Sequence, residues 1–255
     1  MKKTASIIIC FVIVCLTLCG CGSTSVISKA IKKTRRLDEI SAQMRIEINM
    51  QIGENSVSLP VAAKVMAKNI GSKKQISLTE LSMHVSQNEI TAQMYKEGEW
   101  AYITVNDERY KTKVSETDSQ YDYIDDINNL LMDIPQKTLN SADIKKEKGG
   151  KYILELVMEP NEFAEIYEDF MDDIDDNYGV GDGEAKISDA SLRITVEKGY
   201  INSYNIYFIK SIDDGAAMVE VNAIVNYNKP GEKVEIIAPE GYDKYEEINN
   251  SSVEY

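Results

Sequence analysis

"EISAQMRIEINMQIG" runs from Glu39 to Gly53 and alternates almost without a fault. Ile40, Ala42, Met44, Ile46, Ile48, Met50 and Ile52 fall on one side, and Ser41, Gln43, Arg45, Glu47, Asn49 and Gln51 on the other. A period of two predicts a β-strand with one apolar and one wet face. At about 3.3 Å per residue it is roughly 40 Å long, whereas ordinary strands average about 5–6 residues. Strands this long predict a broad, curved sheet. The apolar side must meet the protein's own core or a greasy molecule, because such a patch left in water is an aggregation hazard.

The same alternation continues downstream. Val57, Leu59, Val61, Ala63, Val65 and Ala67 form a second strand, Leu81, Met83 and Val85 a third, and Ile90, Ala92 and Met94 a fourth. "GEW" and "NDE" are turns around a fifth, Trp100 to Val105. From Ser119 the period changes. Ile124, Ile127, Leu130, Leu131 and Ile134 recur at three and four, and Pro135 ends that helix. A strand over 152–158 precedes a second helix over 161–176, with Asn161 as its N-cap and an apolar stripe through Phe163, Ile166, Tyr167, Phe170, Met171 and Ile174. Strands over 187–196, 200–209 and 218–227 follow, separated by "EKGY" and "DDGA". No repeat and no Pro/Gly/Ser-rich linker divides the chain, so one domain is expected.

The start of the chain is not fold. Lys2 and Lys3 precede an apolar run from Ala5 to Cys19, shorter than the roughly 20 residues that span a bilayer and suited to a secretory signal. Leu18-Cys19-Gly20-Cys21 resembles a bacterial lipobox. The resemblance implies cleavage before Cys21 and a diacylglyceryl group on its sulfur. Cys10, Cys15 and Cys19 then leave with the signal, so no disulfide framework or cysteine metal site remains. Stability must come from a core, which the remaining length allows. A domain map follows: 1–20 signal peptide, 21–36 tether and start of an N-terminal helix, 37–242 one domain, 243–255 a loosely ordered tail.

Charge excludes some partners. The chain carries 28 Lys+Arg against 42 Asp+Glu. Lys29, Lys32, Lys33, Arg35 and Arg36 sit beside the expected anchor with no acid between residues 22 and 36, where each contributes about 1 kcal/mol to contact with an anionic surface. Everything beyond residue 36 is strongly acidic, which disfavours nucleic acid.

The order lipobox, helix, long antiparallel strands, helical insertion and more long strands resembles the half-barrel lipoproteins. These include the LolA and LolB carriers, the LppX and LprG lipoproteins and related Gram-positive lipoproteins. "KEGEWAYITVNDERYKTKV" (residues 96–114) resembles their strand-turn-strand with an aromatic after the turn, and "NYNKPGEKVEIIAPEGY" (226–242) their closing strand and Pro-containing exit. The resemblance implies an α+β fold: a strongly curved antiparallel sheet, a half-barrel, with helices covering its concave face. It also implies acyl chains held between sheet and helices, and no catalytic residues. The expected cavity lining is Met44, Ile46, Ile48, Met50, Met83, Met94, Ile127, Leu131, Phe163, Tyr167 and Phe170. Methionines suit variable apolar ligands, though at this spacing they are also ordinary core.

Other sites are weaker. "DIDDNYGVGDGE" places Asp173, Asp175, Asn177 and Glu184 at calcium-loop positions 1, 3, 5 and 12. The sharp turn at position 6 needs glycine and Tyr178 stands there, so calcium is a minor expectation beside a solvated acidic loop. No other cofactor is expected. His84, the one histidine, points away from Met83 and Val85 and has no Cys or His companions for zinc. No G-x-S-x-G surrounds a serine, and "GVGDG" follows a helix rather than opening one. Trp100 and fifteen tyrosines could present sugar-binding faces, but aromatic residues in strands more often complete a sheet. The expectation is a monomeric, non-enzymatic lipoprotein on the outer side of the cell membrane, binding an apolar or lipid-like ligand. Its rival is a protein-interaction or sensor-accessory module with a filled core and an acidic contact surface.

Overall fold

In the computed structural model, residues 23–85, 88–114, 134–167, 185–212 and 215–248 are described. Helix α1 covers 23–34. Strands β1 (Glu39–Ile52), β2 (Asn55–Lys68), β3 (Ile76–Val85), β4 (Asn88–Glu97), β5 (Trp100–Val105) and β6 (Glu108–Lys113) follow. Next come helix α2 (Gln136–Leu139), β7 (Asp143–Lys146), β8 (Tyr152–Val157) and helix α3 (Pro160–Ile166). Strands β9 (Ala185–Glu197), β10 (Tyr200–Ile212), β11 (Ala217–Tyr227) and β12 (Glu246–Glu247) complete the chain.

The strands form one open, curved sheet of twelve in the order β12-β6-β5-β4-β3-β2-β1-β11-β10-β9-β8-β7. All pairs are antiparallel except β12 with β6. Two-residue turns join β1 to β2, β4 to β5, β5 to β6 and β9 to β10. Gly53 leads the β1–β2 turn at φ 59°, whereas Asn106-Asp107 and Lys198-Gly199 are both positive throughout. Positive φ at both central residues matches the right-handed twist of the flanking strands. Register shifts at Ile201/Ser203 and Ile209/Lys210 bend the β9–β10 pair.

β1 lies at the centre, paired along its whole length with β2 and from Ala42 to Ile52 with β11. Its even residues share the inner face with the odd residues of β2 and β11 and the even residues of β10. Ile40, Ala42, Ile48, Val221, Val225, Ile206 and Phe208 are buried there, in one cluster with Ile27, Ala30 and Ile31 of α1, Leu139 of α2 and Phe163 of α3. The Phe163 ring lies 5.1 Å from that of Phe208 and 4.7 Å from that of Tyr167. The Tyr167 and Tyr204 hydroxyls are hydrogen-bonded, and Thr34 Oγ1 accepts the Ile201 amide at 2.9 Å. A smaller cluster, Met94, Ala101 and Val114 with Ile103, occupies the β4–β6 end.

Two expectations change, and a third falls largely outside the described residues. Helix α3 starts at Pro160, with Glu159 rather than Asn161 in the cap position and no side-chain cap bond. Proline suits the first helical position because its φ is preset and its missing N–H would be unused. The helix expected over 121–134 lies outside the described residues except for buried Ile134, and the one expected over 161–176 is described only as far as Tyr167. The described helices pack on the cluster shared with β8–β11.

The second change is the tail: of the residues expected to be loosely ordered, 243–248 are described and include β12 (Glu246–Glu247). After β11 the chain is held to β1 by Asn228 N–H to Ser41 O at 2.7 Å and Val234 N–H to a Glu39 carboxylate oxygen at 2.7 Å. It then crosses the outer face. Tyr242 packs edge-on against Tyr95 and Tyr102, with centroids 5.3 and 4.8 Å apart, and the Tyr245 and Thr104 hydroxyls meet at 3.0 Å. Tyr245 is buried, and β12 pairs with β6. Gly231 permits this exit. At φ +86° its Cβ would stand 2.5 Å from the Tyr200 hydroxyl, and Lys33 Nζ lies 3.7 Å from the centroid of the same ring.

Two outcomes follow for stability. Gly231→Ala strains the backbone and overpacks Tyr200, and is expected to lower unfolding free energy by about 1–3 kcal/mol in urea titration. Burial raises the Tyr167, Tyr204 and Tyr227 hydroxyls above the tyrosine range. The folded state then holds protons that the unfolded chain releases near pH 10. Stability is full below that pH and falls as pH rises above it. Ultraviolet titration should show these phenols ionising only as circular dichroism reports unfolding.

Candidate functional site

The inner face divides into a sealed and an open part. Toward β8–β11 the side chains interlock: Phe163, Tyr167, Leu154, Ile194 and Ile206 are each 0% exposed. Phe163 and Tyr167, expected to line a cavity, are core instead, because Phe208 and Tyr204 fill the space beside them. Along β1 and β2 the face is closed less evenly, with Ile48 sealed between partly buried neighbours. Met44, Ile46, Met50 and Leu59 are only partly buried against the cluster. Ile52 and Val57 are 64% and 51% exposed at the tip.

Of the remaining expected lining residues, Ile48 is enclosed among its neighbours on the same strand face and Met94 belongs to the smaller cluster. Met83 pairs with Val61 and Ile90 at the open end and is half-buried. Ile127, Leu131 and Phe170 lie outside the described residues, as do Cys21 and the 173–184 loop with Asp173, Asp175, Asn177 and Glu184. Four of the named β1 positions thus stand on one apolar strip, with Met44, Ile46 and Met50 accessible beside Ile48.

One polar atom interrupts the apolar core next to this strip. The Tyr227 hydroxyl is buried without a hydrogen-bond partner, alone in this among the described residues. Tyr227 sits opposite Ala42, two pairs from Met44 and next to it on the inner face. A buried, unpaired hydroxyl costs about 1–3 kcal/mol, which a water or the polar end of a bound molecule would relieve.

The outer face carries a different feature, which the sequence reading missed. A cavity of about 690 Å³ crosses six strands from β11 to β5. Register makes its construction plain. Asn226, Gln43, Lys64, Glu80, Gln93 and Thr104 are successive cross-strand partners and form one row. The next row is Ile224, Arg45, Ala62, Ser82 and Thr91, with Asp107 at its far end. Lys64 Nζ meets Glu80 at 2.9 Å, and Gln93 Nε2 donates to the same carboxylate at 3.5 Å. Met44, Ala63, Leu81 and Ala92 border this groove too, although alternation sets their side chains on the inner face. A second depression of about 750 Å³, sharing Gln93 and Thr104, continues between β6 and the crossing tail beside Arg109 and Tyr245. The signal in the sequence was the amide-rich wet side of the first strand, but its partners could not be aligned without the pairing.

His84 is exposed, as expected, and no group of three His, Cys, Asp or Glu able to hold a metal occurs among the described residues. Among those residues no helix is long and apolar enough to cross a membrane.

Neither a family model nor a curated protein matches the chain. Several solved structures are similar. LprF from Mycobacterium bovis is 11% identical, with 86% of this chain and 98% of that one covered at a TM-score of 0.48. A LolA superfamily protein from Nitrosomonas europaea is 10% identical over 84% and 94%, TM-score 0.26. A putative outer membrane lipoprotein-sorting protein domain from Vibrio parahaemolyticus is 6% identical over 84% and 95%, TM-score 0.27. The Nitrosomonas protein carries the LolA name expected from the sequence. Each likeness is distant, and what the names describe belongs to those proteins.

The orphan hydroxyl gives a direct test. Tyr227→Phe removes an unpaired polar atom and no bond, so urea unfolding should move by no more than about 1 kcal/mol or toward greater stability. Tyr204→Phe removes the partner of Tyr167 and should cost about 1–3 kcal/mol.

Proposed function

We propose that the chain is an extracytoplasmic lipoprotein, tethered through lipid on Cys21, that holds an apolar or lipid-like molecule along the open part of its inner face. The observation that carries this is the continuity of one strand face. Ile40, Ala42 and Ile48 are sealed in the core, while Met44, Ile46, Met50 and Ile52 on the same face stay accessible. Covering a Leu- or Met-sized side chain contributes about 1.5–3 kcal/mol, so several such contacts suffice for a fatty chain. Helices roofing this face, with Ile127, Leu131 and Phe170 among their lining residues, belong to the same proposal. Tyr227 would meet the ligand's polar end.

Tethering supports the reading physically. Two acyl chains anchor firmly where one does not, and Lys29, Lys32, Lys33, Arg35 and Arg36 just after the anchor would hold α1 to an anionic membrane. The acidic body would be kept off that surface, leaving the ligand-holding face free. No catalytic step is assigned.

Native mass spectrometry of the purified protein is the test. The protein should carry an apolar adduct or take one up from phosphatidylglycerol vesicles, and Ile46→Asp should lower uptake at least about tenfold, a loss of 1.4 kcal/mol or more. A protein that neither carries nor acquires any apolar molecule overturns the proposal.

A further inference from the structure

We propose that the outer-face groove is a second binding site, for an uncharged polyhydroxylated chain, an oligosaccharide lying across the strands. The floor is the row of small side chains Ala62, Ser82 and Thr91; the wall is the longer row of Gln43, Lys64, Glu80 and Gln93. Five strand spacings of about 4.8 Å make it roughly 24 Å long. The depression beyond Gln93 and Thr104 extends it toward Tyr245. That length suits a chain of sugar rings rather than a single one.

Chemistry selects the ligand. Side-chain amides and hydroxyls offer both donors and acceptors, as sugar hydroxyls require. Within the groove Arg45 and Lys64 balance Glu80 and Asp107, although the whole chain carries a net charge of −14. An anionic ligand would meet the repulsion of the whole body, and a cationic one would find stronger acidic attraction elsewhere. An apolar ligand would strip water from the row and leave its polar groups unpaired. An extended peptide would seek the free N–H and C=O groups of a sheet edge, but the groove's floor is made of central strands whose backbone is already paired. The Lys64–Glu80–Gln93 contacts hold the wall in place before a ligand arrives, which reduces the ordering cost of binding.

This site is independent of the inner face, and the experiment keeps the two apart. Isothermal titration of the purified protein with cellohexaose, maltohexaose and chitohexaose should show at least one binding with Kd of about 1 mM or tighter. Ala62→Phe and Ser82→Phe place bulk in the floor at partly exposed positions and should each weaken binding at least about tenfold. Melting temperature and lipid uptake should be unchanged in both. Silence of all three sugars at about 10 mM, or binding that the floor-filling variants leave intact, overturns the proposal without touching the inner-face one.

Discussion

The strict two-residue alternation of β1, locked in register between β2 and β11, is the constraint on which the molecule depends. Glu39 through Ile52 pair without interruption to Lys68 through Asn55, and Ala42 through Ile52 to Tyr227 through Ala217. A slip of one residue would turn every apolar side chain of the strand outward and every polar one inward. Such an error would bury Arg45 and Glu47, and unpaired buried charge is among the most destabilising events a core can suffer. The register is therefore strongly specified, and both candidate sites inherit it: even residues give the apolar strip, and Gln43 and Arg45 give the groove.

From that centre the two flanks of the sheet diverge. On the β8–β11 side, short helices bring Phe163 and Tyr167 onto Phe208 and Tyr204, and the inner face closes as core. On the β2–β6 side, the outer face gains its own layer, the tail with Tyr242 and Tyr245 over Tyr95 and Tyr102. Burial and the nearby Glu97 carboxylate together raise Tyr95 above the tyrosine range, so this layer is neutral and aromatic rather than ionic. The exposed pairs Lys145–Glu155 and Arg193–Glu155 lie on the outer face and contribute little. The apolar interior and the aromatic strap, not the ion pairs, hold the sheet.

Local signals were easy to read in the sequence. Alternation from Ile40 to Ile52 and Val57 to Ala67 announced the central hairpin, and "NDE" and "EKGY" placed turns that the backbone makes with positive φ. What escaped needs pairing across long separations. Tyr242 and Tyr245 stand among Gly, Pro and acidic residues with no periodicity, yet they pack on strands more than a hundred residues away, and Tyr245 is buried there. β7 is four residues at a sheet edge, too short and polar to show a period. The groove is assembled from residues that each look like ordinary wet-face polarity, and only the register aligns them. Phe163 and Tyr167 were legible as apolar, but an apolar stripe cannot say whether its neighbour is a void or another ring.

The central claim is that one face of β1 is core for part of its length and open for the rest. Single cysteines placed along β1, in a chain whose native cysteines are replaced, test it through their rate of thiol labelling. Positions 43, 45 and 51 should label fast and positions 40, 42 and 48 scarcely at all. Positions 44, 46 and 50 should label at intermediate rates that fall when phosphatidylglycerol vesicles are supplied. Labelling of 44, 46 and 50 as slow as 48, unchanged by lipid, would show the whole face to be sealed core and contradict the account.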